Sequence, residues 1–176
     1  MRRGRDLYES VDTVVDEVSF FKGLRSHPDY KRYSFLKLPM SYEVDCAISQ
    51  SGSVVGFCEF KRRKVIKDCY DTLILSLKKY KALASYSSTE VQSKLFVRWN
   101  DVSSVHDVSP GGINYRIAWG GRSDRGDWQD SEPVVHIPIE DFEDLNIDIK
   151  PLDNSEHDRL VCLLDKGKSW KVGSAI

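Results

Sequence analysis

No run of apolar residues in this chain approaches the ~20 that a membrane-spanning helix needs. The opening MRRGRDLYES is basic but leads straight into charged sequence, so no secretory signal is expected and the chain reads as cytoplasmic. The four cysteines (Cys46, Cys58, Cys69, Cys162) lack the C-x-x-C pairing of a zinc site. Reduced thiols are the expectation, with a Cys46–Cys58 disulfide as the rarer alternative. His27, His106, His136 and His157 show no ligand spacing, and no serine sits in a Gly-x-Ser-x-Gly frame, which leaves a hydrolase triad without support. Internal repeats, low-complexity segments and linkers are missing too. With a formal net charge of −1, the chain has no global field to attract a polyanion, so any nucleic-acid contact must come from local basic patches.

What remains is a 176-residue chain, 40% hydrophobic and 30% charged, which suits one domain with a real core, spanning 1–176. Residues 6–24 carry Leu7, Val11, Val14, Val15, Val18 and Phe21 at helical spacing, with Gly23 at the end. A short edge strand is predicted at 34–38, a hairpin at 42–63, a second helix over 68–85 and a strand in KLFVRW, 94–99. Further strands are predicted at 113–119 and 134–139, a short helix at 140–145 and a frayed tail from Lys166. Helix, strands, helix, strands implies an α/β domain with a central mixed β-sheet flanked by helices.

The hairpin, YEVDCAISQSGSVVGFCEFKRR, carries the chemistry. Taking Ser51-Gly52-Ser53 as a three-residue loop pairs Cys46 with Cys58, Ile48 with Gly56 and Val44 with Phe60. That even-numbered face is apolar. The odd-numbered face holds Glu43, Asp45, Ala47 and Ser49 on one arm and Val55, Phe57, Glu59 and Lys61 on the other. Asp45 then lies opposite Glu59, and side chains opposed in this way start about 4.5–5.5 Å apart at Cβ. Two carboxylates so close repel, so a cation belongs between them. Lys61 can neutralise part of that charge, and a hard divalent ion would do so better. Charged residues on a sheet's solvent face are ordinary, but Phe57 and Val55 share this face, which favours a cleft. A one-residue slip would turn Asp45 to the wrong side.

Asp45 followed by Glu59-Phe60-Lys61 on consecutive hairpin strands, with a helix before and a helix after, resembles the PD-(D/E)XK nuclease superfamily of restriction enzymes, resolvases and phage nucleases. The resemblance covers residues 7–99 and leaves 100–176 as an extension of strands and loops. It implies a restriction-endonuclease-like core and a free-standing phage or mobile-element endonuclease that hydrolyses DNA phosphodiesters with Mg²⁺ or Mn²⁺. By the same resemblance Asp45, Glu59 and the Phe60 backbone carbonyl would hold the metal, while Lys61 would position and help deprotonate the attacking water. Val44 stands where the family often has proline. A glutamate from the first helix would complete the set, Glu9 slightly ahead of Glu17. Arg62, Arg63, Lys64, Lys78, Lys79 and Lys81 are candidates for phosphate contact. Trp119 and Trp128 beside Arg122 and Arg125 could stack a base, though such residues more often cap a core edge. A homodimer would supply two sites for two strands. The rival readings are an inert nucleic-acid-binding or assembly module of the same fold, and a structure-selective or RNA-directed nuclease.

Overall fold

The computed structural model describes residues 10–39, 41–111, 113–121 and 131–173. Helix α1, Val11–Leu24, starts where the Ser10 hydroxyl accepts from the Thr13 N–H at 3.3 Å, an N-cap that satisfies one of the first-turn donors. Val14, Val18, Phe20, Phe21 and Leu24 turn inward.

The hairpin strands are β2, Cys46–Gln50, and β3, Ser53–Arg62. They occupy the middle of a seven-stranded sheet. On one side β2 pairs antiparallel with β1, Ser34–Lys37, which in turn pairs with β10, Lys171–Val172. On the other side β3 runs parallel to β5, Gln92–Arg98, followed by β6, Ser103–Asp107, and β9, Glu143–Leu145. The order is β10-β1-β2-β3-β5-β6-β9, a mixed sheet.

A parallel neighbour requires a crossover. Here it runs through a 3₁₀ turn, Lys67–Cys69, then β4, Thr72–Ser76, then α2, Leu77–Tyr86. The single helix expected over 68–85 is therefore a strand followed by a shorter helix. Strand β4 opens a second, three-stranded sheet of order β4-β8-β7, completed by β8, Ser131–Pro138, and β7, Arg116–Gly121. The short helix expected over 140–145 is a 3₁₀ turn at Ile139–Asp141 followed by β9. The expected frayed tail is instead preceded by α3, Asn154–Asp165, and ends in β10 with Trp170 buried.

Both faces of the main sheet are covered. On the α1 side Phe20, Phe21, Phe35, Phe60, Phe96 and Trp170 form an aromatic core, with Phe21 and Phe35 ring centroids 4.7 Å apart. On the other side α2 and the small sheet bring Leu73, Leu83, Val135 and Ile137 against Leu95 and Val97. Truncating Phe21, fully buried in the first core, to alanine is expected to cost about 3–5 kcal/mol, measurable by chemical denaturation with the slope unchanged.

The expected hairpin register arises by a different route and runs as far as Cys46, one residue short of Asp45, whose expected pairing with Glu59 is not part of the ladder. Cys46 pairs with Cys58 and Ile48 with Gly56, but the turn has two residues, Ser51 and Gly52, both at positive φ. A β-bulge at Ile48/Ser49 then restores the count, because Ser49 meets Val54 and leaves Val55 as the extra residue. The bulge moves Val55 to the α1 core, whereas Phe57 packs on Tyr86 of α2 on the opposite face, ring centroids 4.5 Å apart. Val44 lies before β2 and packs in the α2-side core, so its expected pairing with Phe60 does not form. Cys46 and Cys58 are buried free thiols.

Candidate active site

Asp45 stands one residue before β2. Its backbone carbonyl accepts from the Leu38 N–H at 2.8 Å, and its Oδ2 accepts from the Phe60 N–H at 3.0 Å. The residue is thus tied on both sides, by its backbone to Leu38 and by its carboxylate to β3. Glu59 sits mid-strand on β3, opposite Leu95 of β5, and is 0% exposed. Two ammonium groups reach its Oε1: Lys61 Nζ from two residues along the strand and Lys79 Nζ from the first turn of α2, each at 2.5 Å. Lys79 Nζ is also 3.4 Å from Asp45 Oδ1. One cation therefore touches both carboxylates.

The cluster extends across the sheet to β1 and α1. Lys37, at the end of β1, donates to Glu17 Oε1 and Oε2 at 2.9 and 3.0 Å, and its Nζ lies 3.9 Å from Asp45 Oδ1. Glu17 is buried on α1, so a chain of alternating charge runs Glu17, Lys37, Asp45, Lys79, Glu59, Lys61. Lys37 had no sequence argument in its favour. The signal available was a lysine inside the short apolar strand SFLK.

The two acids respond oppositely to this setting. Burial would push the Asp45 carboxyl up, but the ammoniums of Lys79, Lys61 and Lys37 and the Phe60 N–H outweigh it and hold the pKa at about 2. For Glu59 burial wins. Its carboxyl is pushed above the ordinary glutamate value, with Asp45 adding to the rise and Lys61 and Lys79 opposing it. The Lys79 ammonium is held above its usual value despite burial, by Glu59 and Asp45.

Glu59 Oε2 is buried with no hydrogen-bond partner among the described residues. An ionised oxygen in that position is costly unless a cation meets it. Among the described residues no three His, Cys, Asp or Glu side chains converge, so this is not a closed protein cage. Small hard cations such as Mg²⁺ take one or two carboxylates and complete their shell with water and phosphate. Asp45 and Glu59, two carboxylates sharing one cationic neighbour, fit that pattern.

The remaining sequence candidates divide. Glu9, Arg122, Arg125 and Trp128 lie outside the described residues. Arg62 follows the strand alternation onto the α1 face, where it donates to the Arg98 carbonyl at 3.1 Å and to Asn100 Oδ1 at 2.7 Å, so it turns away from Glu59. Arg63 donates to the Ile74 carbonyl at 2.9 Å. Both arginines brace the backbone. Lys64 and Lys81 are exposed, and Lys78 pairs at the surface with Glu43 at 3.4 Å. Trp119 is 76% exposed, so it caps no core edge. His136 is held in the small sheet by Thr72, 3.2 Å away. No helix among the described residues is long and apolar enough to cross a membrane.

Neither a curated protein nor a solved structure matches the chain. A family model described as "Phage putative PDDEXK endonuclease" matches residues 3–145, most of the chain and every residue of the acidic cluster. With Asp45, Glu59 and Lys61 gathered on a mixed sheet between helices, the chain belongs to this phage family of PD-(D/E)XK endonucleases.

Proposed function

We propose that this nuclease is a metal-dependent endodeoxyribonuclease, a single domain whose centre is Asp45, Glu59 and Lys61. What supports this reading is that Asp45, just before β2, and Glu59, on β3, both contact one cationic group, with a second ammonium beside it. Asp45, Glu59 and the Phe60 backbone carbonyl would hold Mg²⁺ or Mn²⁺. The ion supplies positive charge against the phosphate and lowers the pKa of a water it binds.

The chain's own groups do the rest. Asp45, ionised down to about pH 2, stays a charged donor at every working pH. Lys61, held by the fully buried Glu59, orients the attacking water and offsets charge that builds on the phosphoryl oxygens. Lys64, Lys78 and Lys81, all exposed, would track the sugar-phosphate backbone, each neutralising about one phosphate. Glu17 acts at one remove, fixing Lys37 beside Asp45.

The test is incubation of the pure protein with supercoiled plasmid, with Mn²⁺ and with chelator. Relaxed or linear product only with the metal is the expected result, and intact plasmid across metals and concentrations would favour an inert binding module. Lys61→Ala is expected to slow cleavage by about 10²-fold or more while duplex affinity stays within about twofold, since a positioned group acting in the transition state contributes on that scale.

A further inference from the structure

We propose that Lys79 is an exchangeable counter-cation. Its ammonium fills the position between Asp45 and Glu59 when no divalent ion is there, and moves onto a substrate phosphate when one arrives. The proposal rests on the metal-binding reading above.

Three lysines reach the acidic cluster, and they are not equivalent. Lys37 is 9% exposed and is bound by both oxygens of Glu17 on α1. Lys61 touches only Glu59. Lys79 alone is within ion-pair distance of both Asp45 and Glu59, so it stands where a shared metal would stand. It also shares Glu59 Oε1 with Lys61, which puts two like charges against one oxygen. That crowding is tolerable only while the two carboxylates need both cations. A divalent ion would supply the charge of two ammoniums at once and repel whichever is less firmly held.

Lys79 can leave and Lys61 is less able to. At 32% side-chain exposure Lys79 is the most open of the three, it sits in the first turn of a helix, and its neighbours Lys78 and Lys81 are exposed. A swing outward carries its ammonium towards that basic surface, where a phosphate would receive it. Metal and substrate are then linked: each makes room or work for the other through one side chain, and the coupling must be the same read from either side.

The experiment is calorimetric titration of Mn²⁺ into the full chain, comparing wild type, Lys79→Met and Asp45→Asn. Removing the competing ammonium is expected to tighten Mn²⁺ about tenfold in Lys79→Met, within the 5- to 150-fold range usual for coupled sites. Lys79→Gln, which keeps an amide donor for the carboxylates without the charge, serves if the methionine variant does not fold, with the same tightening expected. In parallel, the gain in affinity for a short DNA duplex on adding Ca²⁺ should shrink several-fold in either variant. Mn²⁺ affinity equal to or weaker than wild type in the folded Lys79 variants overturns the exchange. If Asp45→Asn loses Mn²⁺ in that same set, the metal centre survives and only the exchange fails; if Asp45→Asn binds Mn²⁺ as wild type does, both fall.

Discussion

Asp45→Asn is expected to lower the rate of metal-dependent cleavage by about 10³-fold or more, and to lower the melting temperature at neutral pH, where the Asp45 charge stabilises the fold. Asparagine keeps an oxygen to accept from the Phe60 N–H, so the strand end stays tied. What disappears is one of two anionic donors facing a divalent ion, and about 4 kcal/mol of lost transition-state stabilisation corresponds to about 10³ in rate. Steady-state plasmid nicking at saturating Mn²⁺ measures it. Undiminished cutting would remove the assigned centre. The same variant has a signature in acid. Asp45 has its folded pKa lowered from 3.8 to about 2, so its contribution to stability is fully present above its ordinary value and is lost as pH falls through about 2. A denaturation series from pH 5 to pH 2 should therefore show a steeper loss for wild type than for Asp45→Asn.

Glu59→Gln should separate function from stability. Cleavage is expected to fall at least as far as for Asp45→Asn, because the fully buried donor is lost and Lys61 loses its anchor. Yet in chelator at neutral pH the variant is expected to melt at a higher temperature than wild type. The sign follows from linkage. The folded-state pKa of Glu59 is raised, so ionising it costs more in the folded protein than in the unfolded chain, and stability falls as pH rises through that titration. A neutral isostere removes that penalty, and the orphaned Oε2 position becomes an amide edge with no charge to satisfy. Adding Mn²⁺ should reverse the order, raising the melting temperature of wild type and not of Glu59→Gln. A glutamine variant that melts lower than wild type in chelator would mean that the Lys61 and Lys79 ammoniums depend on the Glu59 charge more than the fold suffers from burying it.

Much of the centre was legible because its residues lie within one hairpin, where alternation and pairing are local matters. Cys46 opposite Cys58 could be counted from the turn, and the buried setting of Glu59 followed from Phe57 on the same face. The count holds with a turn one residue shorter than a three-residue loop, because the bulge at Ile48/Ser49 compensates for the difference. What local pattern could not supply came from long-range pairing. Leu73 fits a helical stripe with Leu77 and Tyr80 and also alternates with Leu75, and only β8, some sixty residues later, decides for the strand. Lys37 entered the site through β1, whose place beside β2 no nearby residue announces. Helix α3 did carry a readable signal, Asp153 with Glu156 three residues on, a capping box present in the fold with both bonds formed.

The bulge has a consequence for how such a nuclease can vary. It lies between the tip of the hairpin and the two carboxylates of the cluster, so the positions of Asp45 and Glu59 are counted outward from the interior of the sheet, through the cysteine pair, and not inward from the tip. Lineages can therefore lengthen, shorten or decorate the Ser51-Gly52 end, and a chemist can attach a dye there, while the two carboxylates proposed to hold the metal keep their spacing.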